Sequence, residues 1–290
     1  MSGRPRPLAA LAFLAPAAAL LVLFAYWPLL DALRLALYRS NGLGLEQYVG
    51  LGNFRQVLGD PLFWQSFVVL LKFALLAIPL GVIGPLLGAR LVHGVRNAGL
   101  ASLYRLLLVL PVMVPMVVSV LIWRNLYGME GAVNRVLAGV GLGEWARPWL
   151  GDASTVIPAL VFMGFPFVGG VNFLIYLAGL ISVPASLHEA ARLDGASPCQ
   201  VFLRVELPLL LPQVRIVLLL GIVGTLHSYE HILVLTGGGP GYATLVPALY
   251  LFRHGFEWGN LGVASAVGVI LFALGIGLSW LNLRLLRERP

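Results

Sequence analysis

The sequence contains few charged residues, one lysine and one cysteine, and each scarcity excludes a class of protein. Charged residues make up 11% of the 290 residues, whereas soluble domains carry about 25%. The single cysteine, Cys199, excludes disulfides, cysteine-based zinc sites and redox pairs within the chain. The single lysine, Lys72, follows Leu71 in an apolar run, so the Gly-Lys-Ser/Thr end of a nucleotide-binding P-loop is missing. We therefore expect that this chain alone does not hydrolyse ATP.

The signatures of several enzyme classes are missing as well. His188-Glu189 begins a string like that of zinc proteases, but Arg192 stands where the second histidine would be. No Gly-x-Ser-x-Gly motif occurs, and the arginines do not alternate with aromatic residues as they do in nucleic-acid-binding surfaces. The sequence predicts no catalytic residue, no bound metal or cofactor and no nucleic-acid partner. It also disfavours an intramembrane enzyme.

The chain instead contains long apolar runs. Hydrophobic residues make up 59% of it, and its mean hydropathy is +0.92. Residues 8–30 form a 23-residue run without a charge. Such a run is longer than the core of a signal peptide, about 7–15 residues, so we predict a retained span. Five further runs are near the roughly 20 residues that cross a bilayer, at 64–89, 102–123, 155–177, 214–235 and 261–283. We predict an all-α membrane protein with six transmembrane helices, forming one domain over residues 1–290.

Proline and glycine inside the apolar runs predict a packed bundle. Spanning helices tolerate proline where neighbouring helices satisfy the freed carbonyl groups. The prolines in question are Pro16, Pro79, Pro111, Pro115 and Pro166. Gly84 and Gly88 form a Gly-x-x-x-Gly pattern, which favours the close approach of another helix.

The placement of arginine predicts the orientation of the chain in the membrane. With both termini on one side, that side carries eleven arginines and four acids, and the other carries seven of each. Positive residues concentrate on the cytoplasmic side of membrane proteins. Both termini and the long link at residues 178–213 are therefore predicted to be cytoplasmic.

The link between the fourth and fifth runs contains the signals of a first short helix. Ser186 and Glu189 have the spacing of a capping box, and Pro184 offers an alternative helix start. Gly195 can adopt the left-handed conformation that ends a helix. These positions predict a helix of about two turns before Gly195.

A second helix is predicted to begin at Ser197. Pro198 would occupy its first position, and Gln200 lies three residues after the cap. Pro208 and Pro212 are expected to end or kink this helix before the fifth run. The sequence therefore predicts a helix–turn–helix hairpin on the cytoplasmic face, over about residues 182–212.

At this hairpin the sequence resembles a known family, the permease subunits of ABC importers. The matching positions of their EAA loop are Glu189-Ala190-Ala191, Asp194-Gly195-Ala196, Leu207-Pro208 and Pro212. The resemblance is densest with the sugar branch, the maltose- and glycerol-phosphate-type subunits, and covers roughly residues 8 to 285. Other segments that resemble this branch are Gly52-Asn53-Phe54, Asp60-Pro61, Tyr104-Arg105, Pro111, Pro115, Trp123, Gly131, Asn134, Thr236-Gly237-Gly238-Gly239-Pro240 and Ala243-Thr244. The glycine-rich segment is typical of the first of two permease types, the maltose-F-like partner.

The resemblance implies a permease subunit of an ATP-driven, binding-protein-dependent sugar importer in the inner membrane of a bacterium or archaeon. The hairpin would seat in a groove of a separate ATPase, with Glu189 in polar contact. Ala190 and Ala191 would allow close approach, and Asp194 and Gly195 would lie at the turn. The implied partners are a second permease subunit in a heterodimer, an ATPase pair that holds ATP and magnesium, and a periplasmic or lipid-anchored sugar-binding protein.

Three positions of the hairpin depart from the pattern of the family. His188 stands where tyrosine is usual, Cys199 where tryptophan is common, and Glu206 where threonine is common. These departures leave the implied coupling role intact but change the side chains around it.

Polar residues within the apolar runs predict where substrate passes, since ionisable groups in a membrane are costly. His227, Glu230 and His231 have the i, i+3, i+4 spacing of one helix face. Sugars present hydroxyl groups that suit carboxylates and amides, and C–H faces that suit aromatic rings. We predict that Glu230, His227, Tyr229 and Asn172 line the substrate pathway, with hydrogen bonds to neighbouring helices as the alternative role.

Two other transporter classes are alternatives to this interpretation. An ion-gradient-driven secondary sugar transporter would typically show inverted repeats and broken helices near the midplane, and the sequence shows no repeat. An export permease is disfavoured by the resemblance to the EAA loop. The sequence leaves the sugar open among oligosaccharides, monosaccharides, polyols and sugar phosphates.

Overall fold

A computed structural model of the chain describes residues 7–44 and 46–285 and is mostly helical. Arg4, Arg6, Arg287, Glu288 and Arg289, which enter the predicted orientation, lie outside the described residues. The α-helices, numbered in chain order, are α1 Pro7–Leu21, α2 Trp27–Leu35, α3 Gly52–Gly59, α4 Pro61–His93, α5 Ala98–Val109, α6 Met116–Leu126, α7 Ala132–Gly139, α8 Val156–Phe162, α9 Gly170–Ile181, α10 Ala185–Leu193, α11 Pro198–Val201, α12 Leu207–Leu209, α13 Leu211–His227, α14 Glu230–Leu235, α15 Pro247–Phe252 and α16 Leu261–Leu285. Turns of other pitch extend or join them, π-helical at Val22–Tyr26, Phe202–Glu206 and Arg253–Glu257 and 3₁₀ at Leu110–Met113 and Gly143–Trp145.

A short antiparallel hairpin follows α2. Its strands are β1 Tyr38–Ser40 and β2 Glu46–Tyr48. Gly42 and Gly44 have φ angles of 77° and 89°, the left-handed conformations that a tight reversal of the chain requires. The all-α prediction is therefore wrong over these residues, because apolar run lengths say nothing about the polar connections between them.

Three helices within the described ranges are long and apolar enough to cross a bilayer: Phe13–Leu35, Pro61–His93 and Leu261–Arg284. Three further helix pairs reach that length together but bend by 92°, 69° and 70° at a short break. In that order they are Ala98–Met113 with Met116–Leu126, Gly170–Ile181 with Ala185–Leu193, and Pro198–Leu209 with Leu211–His227. The structure thus has three to six candidate spans, and the six-span count stays a prediction.

The structure interrupts three runs for which continuous helices are predicted. The third bends before α6, where Pro115 is the N-cap. The fourth is broken between α8 and α9, where Pro166 lacks an amide donor and Phe167 has a φ of 61°. The fifth is broken at Ser228, whose ψ of 105° ends α13 among polar side chains. Hydropathy detects the length of an apolar run but not a break inside it.

The described chain falls into two compact units. The first unit runs to Trp64 and includes Tyr250–Ala273, and the second unit comprises Gln65–Leu249 and the chain from Leu274. The prediction of one domain is a statement about the whole chain and stays a prediction.

Hydrogen bonds of two polar side chains organise the first unit. The buried Asn53 amide donates to the carbonyl oxygens of Ala36 at 2.9 Å and Tyr38 at 2.8 Å. The Asp60 carboxylate accepts a hydrogen bond from the hydroxyl group of Tyr250 at 2.7 Å. Asn53 and Asp60 belong to the segments that resemble the sugar permeases. Here Asn53 ties α3 to the end of α2 and to β1, and Asp60 ties the junction of α3 and α4 to α15.

The core of the second unit is centred on α9. Its buried members come from α4, α9, α13 and the residue that precedes α13, and they are Leu86, Ala89, Val92, Phe173, Tyr176, Leu177, Leu180, Leu210 and Val217. At Gly179 a Cβ would come within 2.6 Å of the Leu210 side chain, so the absence of a side chain allows α9 to pack there. Since lipid is as apolar as leucine, close van der Waals packing stabilises this core.

Candidate functional site

The predicted hairpin is formed by α10 and the segment Pro198–Leu209, which together are named the coupling hairpin after the role that the sequence resemblance implies. Gly195 lies at the turn with a φ of 74°, as predicted. Ser197 caps the second helix, since its hydroxyl oxygen accepts a hydrogen bond from the backbone N–H of Gln200 at 3.4 Å. In return, the side-chain oxygen of Gln200 accepts a hydrogen bond from the backbone N–H of Ser197 at 2.8 Å. The predicted cap at Ser197 is therefore confirmed.

The predicted capping box of Ser186 and Glu189 is wrong. Helix α10 begins at Ala185, and its N-cap is Pro184, which provides no side-chain hydrogen bond. Ser186 already lies within the first turn, two positions after the N-cap. The proline that the sequence offered as an alternative start is the one that the structure uses.

The residues expected to contact an ATPase lie together at the end of α10 and in the turn after it. Glu189, Ala190, Asp194 and Gly195 are exposed, and Ala191 is half-buried. The coupling hairpin therefore presents one carboxylate on the helix, a second at the turn, and two small side chains on its surface. A second protein could approach the backbone closely at the alanines.

A buried carboxylate lies behind this exposed surface. Glu206 is 1% exposed, and its Oε2 lies 2.6 Å from Nε of Arg90, in the last turn of α4. Its other oxygen, Oε1, lies 3.1 Å from Nε2 of His188 on α10. A buried carboxylate must be paired because its desolvation is costly. Glu206 therefore connects the coupling hairpin to α4.

A cavity of about 830 Å³ lies within the second unit. It is lined by residues of α4, α5, α6, α8, α9 and α14 and by the break between α8 and α9. The lining includes four large aromatic side chains, Phe73, Trp123, Phe165 and Phe167. Its polar side chains are Ser119, Asn172 and His231.

The break between α8 and α9 packs directly against α4 and α5. A Cβ at Gly84 would overlap the carbonyl oxygen of Phe167, and a Cβ at Gly88 would overlap that of Val168. On the α5 side, Gly169 lies equally close to the backbone of Leu108. The two glycines do allow a close approach, but the partner is the break between α8 and α9 and not the helix that the Gly-x-x-x-Gly pattern favours.

Asn172 is the predicted pathway residue that the structure places at the cavity. Its Nδ2 donates to the carbonyl oxygen of Gly81 at 3.1 Å, and both residues belong to the lining. His231 also lines the cavity, with its ring 5.9 Å from that of Phe73. The side-chain nitrogen of Asn172 is thus held by α4.

The other three predicted pathway residues do not belong to the cavity lining. His227 is the last residue of α13, and Glu230 is the first of α14, with Ser228 and Tyr229 between the two helices. The shared helix face predicted for His227, Glu230 and His231 is therefore wrong, because no single helix carries all three. Glu230 and His227 are exposed, and His227 Nδ1 lies 2.8 Å from the carbonyl oxygen of Val223. Their role in the substrate pathway stays a prediction.

The sequence interpretation missed the aromatic residues of the cavity. Phe165 and Phe167 flank Pro166, and their rings are 6.2 Å apart and perpendicular. The string from Gly164 to Gly170 holds three glycines and a proline in seven residues, which is a signal for a break. Phe73 and Trp123 carry no comparable signal, since aromatic residues in an apolar run are usually core or lipid-facing.

A second buried polar group lies in the first unit. The His254 ring lies 4.4 Å from the ring of Tyr250 and 4.5 Å from that of Trp258. Burial lowers the pKa of His254 below its ordinary value, and the nearby Asp60 opposes this shift.

Over residues 7–44 and 46–285, no three His, Cys, Asp or Glu side chains come together as metal ligands would.

Comparison with known proteins gives one family. The sequence pattern of the family described as "Binding-protein-dependent transport system inner membrane component" matches residues 77–288. The chain is 33% identical over 278 residues to the sn-glycerol-3-phosphate transport system permease protein UgpA of Yersinia pestis, covering 94% of this chain and 92% of that protein. It is 31% identical over 276 residues to the trehalose/maltose transport system permease protein MalF of Thermococcus litoralis, again covering 94% and 92%.

The fold is similar to that of a chain in a solved complex. This is the crystal structure of a bacterial alginate ABC transporter in complex with an alginate pentasaccharide-bound periplasmic protein. The TM-score is 0.84 at 21% sequence identity, and the match covers 95% of this chain and 93% of the other. At this level of identity the similarity concerns the fold.

Proposed function

The chain belongs to the family of inner membrane components of binding-protein-dependent transport systems, and on that premise we propose that it is one permease subunit of an ATP-driven sugar importer. The names of the two relatives assign them to transport systems for trehalose and maltose and for glycerol 3-phosphate. Such subunits carry substrate while a separate ATPase supplies the energy. The chain is therefore a transport component and not a catalyst, and ATP and magnesium belong to its ATPase partner.

The observation that carries the proposal is the lining of the cavity. Aromatic rings pack well against the C–H faces of sugar rings, and amide and imidazole groups bond to hydroxyl groups. The lining described here contains aromatic side chains, Asn172 and His231, and no Asp, Glu, Lys or Arg. Sites for a phosphate or uronate group are typically rich in arginine or lysine. The cavity, at about 830 Å³, is also large enough for a sugar of two or more rings.

The proposed topology is six spans with both termini in the cytoplasm. The three long helices and the bent pair Ala98–Met113 with Met116–Leu126 would each supply one span. The other two spans would be supplied by α8 with α9 and by α13 with α14, which leaves α10 and Pro198–Leu209 outside the membrane as the coupling hairpin. Non-helical backbone is tolerated at membrane depth where it lines a cavity or is covered by protein. The break between α8 and α9 meets both conditions, and the arginine count supports the orientation.

The coupling hairpin is proposed as the contact with the ATPase. Its support is the exposure of Glu189, Ala190, Asp194 and Gly195, together with the rigid cap and turn that hold the two short helices. A rigid hairpin transmits a displacement of its partner to the helices that follow it, whereas a flexible loop would change shape instead. Closure of an ATPase pair would then bias the chain between two conformations.

The remaining partners follow from the family. We propose a second permease subunit in a heterodimer, an ATPase pair and a periplasmic or lipid-anchored sugar-binding protein, in the inner membrane of a bacterium or archaeon. The predicted pathway residues Glu230, His227 and Tyr229 could face the second permease or the sugar, since Glu230 and His227 are exposed in the single chain.

The experiment is sugar uptake by proteoliposomes that contain the co-purified complex, with binding protein outside and ATP inside. Trehalose, maltose and lactose would be compared with glycerol 3-phosphate and an alginate oligosaccharide. Each would be tested with wild type, with Glu189→Lys, and with Glu144→Lys as a control. Glu144 is an exposed acid in a different loop, so the control makes the same charge change away from the coupling hairpin.

We expect ATP-dependent uptake of an uncharged sugar, which Glu189→Lys abolishes and Glu144→Lys preserves, with the complex assembled in every case. Uptake that ignores ATP and follows an ion gradient would reject the importer subunit in favour of a secondary transporter. Uptake of only the charged substrates would reject the argument from the cavity lining.

A further inference from the structure

We propose that Glu206 is a positioning residue that ties the coupling hairpin to α4, so that the hairpin and a cavity-lining helix move as one body. This inference rests on the proposed coupling function. Its basis is one buried carboxylate with each oxygen directed to a different element. Oε2 is 2.6 Å from Arg90 on α4, and Oε1 is 3.1 Å from His188 on α10.

The burial of Glu206 distinguishes this contact from a surface ion pair. Its side chain is 1% exposed, while those of Arg90 and His188 are 26% and 20% exposed. Exposed ion pairs are screened and contribute little, but a buried charge that loses its partner is strongly unfavourable. Each of the three elements is therefore held at the distance that keeps Glu206 paired.

Buried ion pairs are seldom more stabilising than apolar side chains of the same volume. Stability alone therefore does not explain why a carboxylate lies at position 206. A fixed geometry between α4 and α10 does explain it. His188 and Glu206 lie on the two different halves of the coupling hairpin, and their side chains contact each other.

Helix α4 connects this contact to the cavity without interruption. Phe73, Ala77, Gly81 and Pro85 line the cavity at intervals of four residues, and Arg90 follows in the last turn. From Arg90 to Gly81 the distance along the helix axis is about 13 Å, at about 1.5 Å per residue. A displacement of α10 that moves Arg90 would therefore move the cavity wall.

The surroundings of Glu206 are otherwise basic. His93 on α4 lies close enough to interact electrostatically with Arg90, His188 and Glu206, and also with Arg105 on α5. Without the carboxylate, Arg90 and His188 would face each other with no acid between them. We then expect α4 and α10 to separate, so that a displacement of one helix no longer moves the other.

The test measures sugar molecules imported per ATP hydrolysed by the reconstituted complex, with maltose and trehalose as probes. Glu206→Gln keeps the shape of the side chain and removes its charge, and Glu144→Gln makes the same change at an exposed site. We expect Glu206→Gln to lower the ratio by about fivefold or more, as coupling free energies of this kind usually do. Glu144→Gln should leave the ratio unchanged.

A second pair of variants decides the question if Glu206→Gln does not assemble. His188→Leu removes the contact of Glu206 with α10 but leaves Arg90 and Glu206 paired, so the fold should persist. His188→Gln retains a donor for Glu206. We expect the ratio to fall in His188→Leu and to be restored in His188→Gln, whereas a purely structural role would lower the thermal stability of His188→Leu and leave the ratio intact.

The inference is overturned if His188→Leu imports as many sugars per ATP as wild type, or if His188→Gln fails as badly as His188→Leu. It is also overturned if an assembled Glu206→Gln complex behaves like Glu144→Gln. A wild-type complex without ATP-dependent uptake is a different result, because it rejects the proposed function itself.

Discussion

Gly84 on α4 lies against the carbonyl oxygen of Phe167, so close that a Cβ at position 84 would overlap it. Phe167 belongs to the break between α8 and α9, and its ring is part of the cavity wall. A glycine in one apolar run therefore sets the position of the non-helical backbone in another. This contact places the aromatic wall of the cavity.

The first prediction concerns Gly84→Ala. The new methyl group must displace backbone, because the overlapping atom is a carbonyl oxygen and not the end of a flexible side chain. We expect a loss of about 1–3 kcal/mol, the usual cost of overpacking, seen as a lower Tm of the complex in detergent. Gly224→Ala is the matched control, since a Cβ there meets nothing within 4 Å and alanine favours the helix. An equal Tm for the two variants would contradict the close contact.

The second prediction concerns Asn172. Its Nδ2 is held by Gly81, so its oxygen is the acceptor that a sugar hydroxyl could use. We expect Asn172→Leu to raise the KM for uptake by roughly 2- to 10-fold, as the loss of one neutral hydrogen bond would. Asn125→Leu is the control, because Asn125 bonds to Leu121 on its own helix α6 and does not line the cavity. The same KM in both variants would remove Asn172 from the pathway.

The third prediction concerns Glu230, which lies in the first turn of α14 and is exposed in the single chain. If its carboxylate binds a sugar hydroxyl, Glu230→Gln should reduce uptake by about tenfold, the effect of losing a hydrogen bond to a charged group. Uptake would be measured beside Glu144→Gln, with assembly checked by co-purification. Unchanged uptake in an assembled Glu230→Gln complex would exclude this residue from the pathway.

The coupling hairpin could be predicted from the sequence because its signals are local. A serine with glutamine three residues later, a proline at the first helical position and a glycine at the turn each act on their immediate neighbours. The structure has these features at Ser197, Gln200, Pro198 and Gly195. Even the error at Ser186 is a shift of the helix start by a few residues.

The cavity could be predicted only in part, because its geometry depends on contacts between distant segments. Hydropathy places residues 155–177 in a membrane but does not reveal that α8 ends at Phe162. The break exists because Pro166 cannot continue a helix and because Gly84 and Gly88 leave room for its backbone on α4. No spacing rule joins position 84 to position 167, so the aromatic wall was not foreseen, although Asn172 was.

The last prediction is a pH dependence that arises in the first unit. Because burial between Tyr250 and Trp258 lowers the pKa of His254, the unfolded chain binds a proton more readily than the folded chain does. The stability from a neutral His254 is thus fully present above the ordinary histidine pKa, about 6.5, and is lost as the pH falls below it. One such group changes the free energy of unfolding by up to about 1.4 kcal/mol per pH unit. We expect the Tm of wild type to fall between about pH 7.5 and 5 and that of His254→Phe, which keeps the packed ring, to fall less. Parallel decreases in the two proteins would contradict a role for His254 in this acid sensitivity.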